Sequence, residues 1–326
     1  MHGIFSKKNI ALLCLFCVSV LLLCGSGFDD EPPVPEDFPA HEAIPLYVDG
    51  IRIGDGMLLD STTYVPVRAF CRSMGRDLAM EWDEETLTMT VTLERDIVVH
   101  GFYEAEEESF DEPPGEAVAV PENEVGETVR KSLLLTAVCG EEYLTANGRC
   151  IWAPAGVRMV DDTLMAPIRC LAGIFDLDVV WHEETRSVSL DSRQLDILED
   201  AESVYDEEDL YWLSHIIYAE SGNQPLDGMI GVGNVVLNRV ADPTCPDTIY
   251  DVIFDTRYGV QFSPIETGGI YEDPNELSIV AAKLCLEGAN VAEDSLFFVN
   301  PAIGVSSWFR DTRTYVCTIA DHAFYS

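Results

Sequence analysis

Basic residues are scarce in this chain. Its 326 residues include 58 Asp and Glu but only 19 Lys and Arg, which leaves a formal net charge of −39 at pH 7. A nucleic-acid-binding protein uses Lys and Arg to displace the counterions of the phosphate backbone, so the composition argues strongly against nucleic acid as a partner. Disorder does not explain the acidity, because 47% of the residues are hydrophobic and 10% are aromatic, enough to build packed cores.

The sequence also lacks an apolar run of ordinary membrane-spanning length. The run at residues 10–24 has about 15 residues, whereas a spanning helix needs about 20. Lys7 and Lys8 precede it and the small residues 25–27 follow it, the pattern of a secretory signal peptide. We therefore predict export, with residues 1–27 as a cleaved signal peptide or, alternatively, as a membrane anchor.

Paired cysteines and clustered histidines are missing as well. Seven cysteines follow the apolar run, and this odd number argues against a closed disulfide framework, so we expect some to be buried thiols. The last 120 or so residues contain only His215 and His322, which lie far outside the spacing of a zinc site. The sequence therefore indicates no metal and no cofactor.

A repeated pattern is present instead. After a linker rich in Pro and acids at residues 28–44, the segment Tyr64-Val65-Pro66-Val67-Arg68 returns as Met165-Ala166-Pro167-Ile168-Arg169, and Trp82 returns as Trp181 at nearly the same separation. Each copy reads as strand, turn, strand, helix and hairpin. We predict that the two copies form one α+β module over residues 45–192.

Local signals within the first copy support this interpretation. Asp49-Gly50 predicts a hairpin turn with positive φ, and Pro66 predicts the start of a helix. A half-buried strand is predicted where Leu87, Met89, Val91 and Leu93 alternate with threonines. The acidic residues 104–127 between the copies predict a solvated loop.

This tandem pattern resembles the copper amine oxidase N-terminal-like domain, a stalk module attached to exported bacterial wall enzymes. The resemblance does not imply copper, because neither copy has clustered His. We interpret Arg68, Arg169, Trp82 and Trp181 as structural residues.

A second linker, residues 193–206, leads into residues 207–326, where we expect the chemistry. A helix is predicted from Glu207 to Glu220 because acids cluster at its start, and Leu210, Leu213 and Ile217 form an apolar stripe whose next position is Glu220. Burial and the negative end of the helix dipole both raise the pKa of a carboxyl group there, as a general acid requires. The alternative is a half-exposed Glu at a frayed helix end.

Two further helices are predicted. One starts at Pro225 and runs to about Val240, apolar on most sides, and we expect its Arg239 to pair with a carboxylate. The other spans Asn275 to Glu287 and makes Cys285 a core thiol.

Five motifs follow one another in this region: Tyr218-Ala219-Glu220-Ser221-Gly222-Asn223-Gln224-Pro225, Val232-Gly233-Asn234-Val235-Val236-Leu237-Asn238-Arg239-Val240, Gln261-Phe262-Ser263-Pro264, Phe298-Val299-Asn300-Pro301 and His322-Ala323-Phe324-Tyr325. Together they resemble the spore cortex-lytic cell wall hydrolases of the SleB/CwlJ type. The resemblance implies a mainly helical domain similar to lysozyme and to lytic transglycosylases, with Glu220 as the essential acid acting on peptidoglycan in the wall or spore envelope. Many family members have a second Glu where this chain has Gln224.

We therefore predict a lytic transglycosylase that cuts the glycan strand with one Glu as acid and then as base. Asp227, Glu266 and Asp311 are weaker candidates for a helper acid. The alternatives are an amidase that releases the stem peptide, a thiol peptidase and a non-catalytic wall-binding protein. The predicted glycan contacts are Tyr218, Gln261, Phe262, Trp308 and His322.

Overall fold

The computed structural model describes residues 42–75, 77–99, 127–193, 195–257, 259–304 and 307–326. The predicted leader, residues 28–41 of the first linker and nearly all of the acidic loop between the repeats lie outside the described residues. Among the residues that are described, every helix is too short or too polar to span a membrane.

The first repeat follows its local signals closely. Asp49 and Gly50 have φ values of 51° and 77°, and they connect the first two strands. The first helix starts directly after Pro66 and buries Val67, Phe70 and Met74, as predicted. The elements are β1 Ala43–Val48, β2 Ile51–Leu59, β3 Thr62–Pro66, α1 Val67–Met74, β4 Leu78–Asp83 and β5 Thr88–Val99.

One strand boundary differs from the prediction. Leu87 is exposed and has a φ of 52°, so it belongs to the turn before β5 and does not point into the core. The cause is the carboxylate of Asp83, which accepts hydrogen bonds from the backbone N–H groups of Glu85 at 2.8 Å and Thr86 at 3.3 Å and so stabilises the turn.

The second repeat has the same order of elements, with two additional strands before its helix. Asn147 and Gly148 form its positive-φ turn, with φ values of 49° and 76°. The elements are β6 Glu127–Val138, β7 Tyr143–Ala146, β8 Arg149–Trp152, β9 Arg158–Val160, β10 Thr163–Pro167, α2 Ile168–Ile174, β11 Val180–His182 and β12 Ser187–Leu190.

Each of the two sheets in this module contains strands from both repeats. The seven-stranded sheet has the order β11-β12-β1-β2-β3-β10-β9, and the five-stranded sheet has the order β4-β5-β6-β7-β8. The equivalent strands β3 and β10 pair antiparallel with Val65 opposite Ala166, which are themselves equivalent positions. An approximate two-fold axis therefore passes between these two residues, and neither repeat could form its sheets alone.

Residues 193–206 connect this module to the C-terminal elements but are packed. Leu195 and Ile197 lie in the core of the sheet module, and a short helix, α3 Ala201–Val204, follows. Tyr205 then donates a hydrogen bond from Oη to Glu287 Oε1 at 2.6 Å. The segment predicted as a linker thus contacts both parts of the molecule.

The C-terminal part is mainly helical. Its helices begin and end close to the predicted residues: Asp206 accepts hydrogen bonds from Glu208 N and Asp209 N, and Asn275 caps a later helix in the same way. The elements are α4 Glu207–Ser221, α5 Leu226–Ala241, α6 Ile249–Ile253, α7 Pro264–Thr267, a 3₁₀ turn Gly269–Tyr271, α8 Glu276–Leu286, β13 Phe297–Val299, a 3₁₀ turn Pro301–Ile303, α9 Ser307–Thr312, β14 Tyr315–Ile319 and β15 His322–Tyr325.

Helices α4, α5 and α8 pack closely because glycines line α5. A Cβ at Gly233 would lie 2.6 Å from Cys285 Sγ and 3.0 Å from Ile217 Cδ1, and a Cβ at Gly231 would lie 2.6 Å from the ring of Phe324. Cys285 is buried in this core, as predicted, and burial raises the pKa of its thiol. The β13-β15-β14 sheet covers the other side of α5.

The second repeat also contacts the helical part directly. Arg149 on β8 donates two hydrogen bonds to Glu287, at 2.6 and 2.7 Å, and both side chains are largely buried. Lys283 on α8 donates to the carbonyl of Gly148 at 2.7 Å. The chain is thus an α+β protein, in which a sheet-rich module precedes and packs against a mainly helical C-terminal part, and the predicted fold class is confirmed.

Candidate active site

Glu220 lies in the last turn of α4, on the side of the helix that faces the core. Leu213 and Ile217, two turns and one turn earlier on the same stripe, have no exposed surface. The helix ends directly afterwards because the chain turns through residues 222–225 into α5. This short connection places Glu220 at the turn between two adjacent, oppositely directed helices.

The carboxyl group of Glu220 is desolvated and has no counter-charge. Burial raises its pKa from the ordinary value of 4.5 to about 7. The side chain is half-buried, and among the described residues no Lys, Arg or His pairs with it and no N–H or O–H donates a hydrogen bond to it. The C-terminal end of the α4 dipole also disfavours a negative charge at this position. The group can therefore hold a proton near neutral pH.

The backbone after Glu220 is held from three directions. Ser221 donates from Oγ to the carbonyl of Ile217 at 2.8 Å, and Asn275 at the start of α8 donates from Nδ2 to the carbonyl of Gly222 at 3.1 Å. Gly222 also leaves room for Tyr218, because a Cβ there would lie 2.6 Å from Cδ2 of that ring. These contacts hold the end of α4, and Tyr218 with it, in one position.

Gln224 links this loop to the turn between β14 and β15. Its Nε2 donates to Asp321 Oδ2 at 3.0 Å, and its Oε1 accepts from the backbone N–H of Asp321 at 3.2 Å. An amide can make both contacts at once, whereas a carboxylate would face the Asp321 carboxylate without a proton to donate. Gln224 therefore has a structural partner of its own in this chain.

His322 follows Asp321 directly and is buried on β15. Its ring lies edge-on to Phe298, with the ring centres 5.1 Å apart, and its Nδ1 has no hydrogen-bond partner among the described residues. Burial lowers the pKa of the imidazole, although nearby Asp321 opposes this shift. The Gln224 bridge thus ties the loop after Glu220 to the strand that carries His322.

The other predicted contacts do not gather beside Glu220. Phe262 is only 2% exposed and packs against Phe298 and Arg239, so its ring has no free face for a sugar. Trp308 lies in α9, but its side chain is outside the described part. Gln261 is exposed, donates to the carbonyl of Gly259 at 2.8 Å, and lines a separate cavity near the C-terminal end of α5.

The prediction that Arg239 pairs with a carboxylate is wrong. Its Nε donates to the carbonyl of Leu296 at 2.8 Å, and its guanidinium lies over the rings of Phe262 and Phe297, at 5.1 and 5.5 Å. The nearby acid Asp255 is already engaged by Arg257 through Nε at 3.0 Å and Nη2 at 3.0 Å. Ring faces and one carbonyl therefore take the place of the expected ion pair.

The cavity beside Arg239 was not predicted. It has a volume of about 510 Å³ and is lined by Arg239, Arg257, Arg313, Phe297 and Gln261, among others. A signal for it exists in the sequence, because residues 202–326 hold so few bases that any cluster of them is notable. The five are Arg239, Arg257, Lys283, Arg310 and Arg313.

The thiols at this end of the chain do not resemble nucleophiles. All seven cysteines of the described residues are free. Burial raises the pKa of Cys285, and it also raises that of Cys317, with a contribution from Glu293. A nucleophilic thiol requires the opposite shift.

Comparisons with known proteins agree with the two resemblances. The sequence model of the Cell Wall Hydrolase family matches residues 223–325, and that of the copper amine oxidase N-terminal domain matches residues 128–190. The spore cortex-lytic enzyme of Bacillus cereus is 32% identical over 120 residues, 37% of this chain and 45% of the relative. That of Bacillus subtilis is 29% identical over 116 residues, 36% and 37% of the two chains.

The chain thus spans less than half the length of these curated relatives. Two solved structures also match: the catalytic domain of the germination-specific lytic transglycosylase SleB from Bacillus anthracis and that of the Bacillus cereus SleB protein. Each is 31% identical, covers 37% of this chain and has a TM-score of 0.34, and the matches include 97% and 92% of those chains. The chain therefore carries a cell wall hydrolase domain at its C-terminus, preceded by a copper amine oxidase N-terminal-like domain, and it is homologous to spore cortex-lytic enzymes.

Proposed function

We propose that this protein is a peptidoglycan-cleaving enzyme, a lytic transglycosylase that breaks the bond between N-acetylmuramic acid and N-acetylglucosamine. The observation that carries the proposal is Glu220, a carboxyl group buried without a cation, whose pKa burial raises to about 7. An acid catalyst of this kind must still hold its proton at the working pH. By analogy with its relatives, we place its action in the cell wall or spore envelope.

The reaction needs only this one carboxyl group. Glu220 gives its proton to the glycosidic oxygen as the bond from that oxygen to the muramoyl C1 breaks, and positive charge develops on the sugar ring. The Glu220 carboxylate then takes the proton from the C6 hydroxyl of the same muramoyl residue while that oxygen bonds to C1. The product ends in a 1,6-anhydro ring, no water is consumed, and Glu220 regains its proton.

The surroundings of Glu220 support a single-carboxylate mechanism. The position at which many relatives have a second Glu is Gln224, and this amide is engaged with Asp321. Glu266 and Asp311, two of the candidate helper acids, are exposed. We therefore assign no catalytic role to a second acid.

We propose Tyr218 as the nearest glycan contact, since it lies one turn before Gly222 and packs beside the loop that follows Glu220. Trp308 remains a proposed contact on its position in the sequence alone. Phe262 is no longer proposed as a glycan contact because it is buried. His322 is also buried, and we propose that it supports the site without contacting the glycan.

The alternatives have less support. A zinc amidase needs several ligands in one place, but His215 donates from Nδ1 to the carbonyl of Tyr211 within α4, and His322 is buried on β15. A thiol peptidase is disfavoured by the raised pKa of Cys285. A non-catalytic wall-binding protein gives no reason to keep a carboxyl group buried at an energetic cost.

Digestion of purified peptidoglycan followed by mass spectrometry tests the proposal. We expect fragments that end in 1,6-anhydromuramic acid. Reducing ends would indicate simple hydrolysis, and free muramic carboxyl groups with released stem peptides would establish the amidase instead.

The pH profile is a second test. Since the protonated form of Glu220 starts the reaction, the rate should fall above about pH 7, approaching tenfold per pH unit. Initial rates from pH 5 to pH 9 measure this, and a rate that still rises at pH 9 would contradict Glu220 as the acid.

A further inference from the structure

The cavity at the C-terminal end of α5 is basic in an otherwise acidic protein. Three of the five bases between residues 202 and 326, Arg239, Arg257 and Arg313, line it. Asp255 is the one acid among its described lining residues, and it is engaged by Arg257. Asp255 also interacts electrostatically with Arg239, so among the described lining residues three guanidinium groups share one carboxylate and an excess of positive charge remains.

Arg239 in particular is buried and largely unpaired. It is 9% exposed, and its Nε donates to Leu296. Arginine has five N–H donors, and among the described residues the remaining four on Arg239 have no acceptor. A buried cation normally has an anionic partner, because desolvation without one is unfavourable.

Arg313 approaches the same place from α9. Its guanidinium lies over the ring of Phe297 at 4.3 Å, the ring that Arg239 also covers at 5.5 Å. Its Nε is buried and has no partner among the described residues, while Nη1 donates to the carbonyl of Thr312 at 3.2 Å. Two cations beside one ring repel each other, and an anion bound between or beside them offsets this repulsion.

We propose that this cavity binds a carboxylate of the peptide stems that peptidoglycan carries. This inference rests on the proposed function, which supplies the polymer. Arginine forks match carboxylates in geometry and charge, and a volume of about 510 Å³ is ample for a carboxylate with part of a peptide. The exposed amide of Gln261 at the rim adds a polar contact for the peptide.

The position of the cavity fits a stem and not the cleaved bond. Ile217 lies against Gly233; Glu220 is three residues or about 4.5 Å from Ile217 along α4, and Arg239 is six residues or about 9 Å from Gly233 along α5, so the two are about 14 Å apart along the helix axes. An extended stem of five residues reaches about 17 Å. A stem attached to a strand bound at Glu220 can therefore reach the cavity.

The inference also accounts for how so acidic a protein holds an acidic polymer. Long-range attraction is unfavourable at a net charge of −39. A recessed cluster of arginines supplies a short-range attraction where the surface as a whole repels, and it selects strands that still carry their stems.

Binding of a soluble stem peptide to the full chain tests the inference without any glycosidic bond. The probes are a stem tetrapeptide with free carboxyl groups, the same peptide with its carboxyl groups amidated, and inorganic phosphate, each followed by calorimetry. The variants are Arg313→Gln, Arg239→Lys and, as a control with the same loss of charge as Arg313→Gln, Arg130→Gln, whose side chain is exposed in the sheet module.

We expect Arg313→Gln to weaken binding of the free peptide at least tenfold, and amidation of the peptide to do the same. Arg239→Lys, which keeps the charge but loses the planar fork, should weaken it several-fold with the fold intact by circular dichroism. Arg130→Gln should bind as the parent does. Equal binding of the free and amidated peptides, or an unaffected Arg313→Gln, would overturn the inference, and tighter binding of phosphate would reassign the cavity to a phosphate-bearing polymer.

Turnover separates this inference from the proposed function. On stem-bearing peptidoglycan, Arg313→Gln should raise KM about tenfold and leave kcat nearly unchanged, while on glycan stripped of its stems it should match the parent. An enzyme that binds the peptide but releases no anhydro product would refute the proposed function and leave the cavity assigned.

Discussion

Helices α4 and α5 carry two desolvated ionisable groups of opposite type, the half-buried Glu220 and the buried Arg239, and the two do not meet. Glu220 lies at the turn between the helices, and Arg239 lies near the far end of α5. Burial raises the pKa of the carboxyl group and lowers that of the guanidinium, since desolvation disfavours the charged form in both cases. Had they been adjacent, they would have formed an ion pair and cancelled both shifts.

The difference between them lies in how each group can relieve its desolvation. A carboxyl group can take up a proton and become neutral near pH 7, as the acid catalyst that we propose for Glu220 must. A guanidinium stays charged, because even a lowered pKa remains far above neutral. It must therefore find electron-rich partners, which here are two phenylalanine rings and a carbonyl. One end of the helix pair is thus suited to proton transfer, and the other to holding an anion.

The largest expected effect is on catalysis. Glu220→Gln removes the proton donor and keeps the shape, so the release of anhydro-muropeptides should fall by about 10³-fold or more. Glu208→Gln, an exposed position in the first turn of the same helix, is the matched control and should retain activity. Appreciable turnover by Glu220→Gln would show that the acid lies elsewhere.

The same variant should be more stable than the parent above neutral pH. Because the pKa of Glu220 is higher in the folded state than in the unfolded chain, the folded state binds more protons between about pH 4.5 and pH 7, and the stability of the parent falls as the pH rises through that range. Glu220→Gln has no such dependence. We expect urea unfolding to show a gain of about 3 kcal/mol at pH 8 and none at pH 4. Equal stability at both values would mean that the carboxyl group is not desolvated.

Near Arg239, at the other end of the helix pair, the phenylalanine ring beside the two guanidinium groups should stabilise the fold more than an ordinary packed ring does. Phe297→Leu removes the ring that both Arg239 and Arg313 cover, whereas Phe254→Leu removes a ring that contacts Trp212 and Tyr250 but no guanidinium. We expect Phe297→Leu to lower the free energy of unfolding by about 1 to 2 kcal/mol more than Phe254→Leu. No difference would mean that the cation is stabilised by other groups.

The smallest effect concerns a second negative charge near Glu220. Gln224→Glu places a carboxylate against that of Asp321 and removes a hydrogen-bond donor, so it should be destabilising by about 1 kcal/mol at neutral pH. Gln224→Ala loses the same bonds without adding a charge. The difference in the free energy of unfolding between these two variants should decrease in 1 M salt, which screens the repulsion. A difference that does not depend on salt would indicate a purely steric cause.

Local features were predictable from the sequence. The start of α4 follows from Asp206, the start of α1 from Pro66, and the first hairpin from Asp49-Gly50, because capping and turn preferences act over three or four residues. The position of Glu220 on the buried stripe follows from helical periodicity, and its raised pKa follows from that position. Leu87 is the exception, since periodicity alone missed the turn that Asp83 stabilises.

Distant partners were not predictable. The sequence shows two repeats but not that β3 pairs with β10 across a two-fold axis, and it shows an Arg on α5 but not that Phe262 and Phe297 lie against it. Gln224 was open to two interpretations until its contact with Asp321, almost a hundred residues away, was seen.

The sequence by itself thus determined the order of the modules, the helices and the position of Glu220 on a buried helix stripe, because these depend on composition and on neighbours along the chain. Only the tertiary structure decided which charges are left without partners. Desolvation depends on every group that packs around a side chain, and the groups around Arg239 come from Phe262, Leu296 and Phe297, which are distant from it in the sequence. The few basic residues, whose scarcity argued against nucleic acid as a partner, are not evenly distributed. Three of the five in the C-terminal part line one cavity.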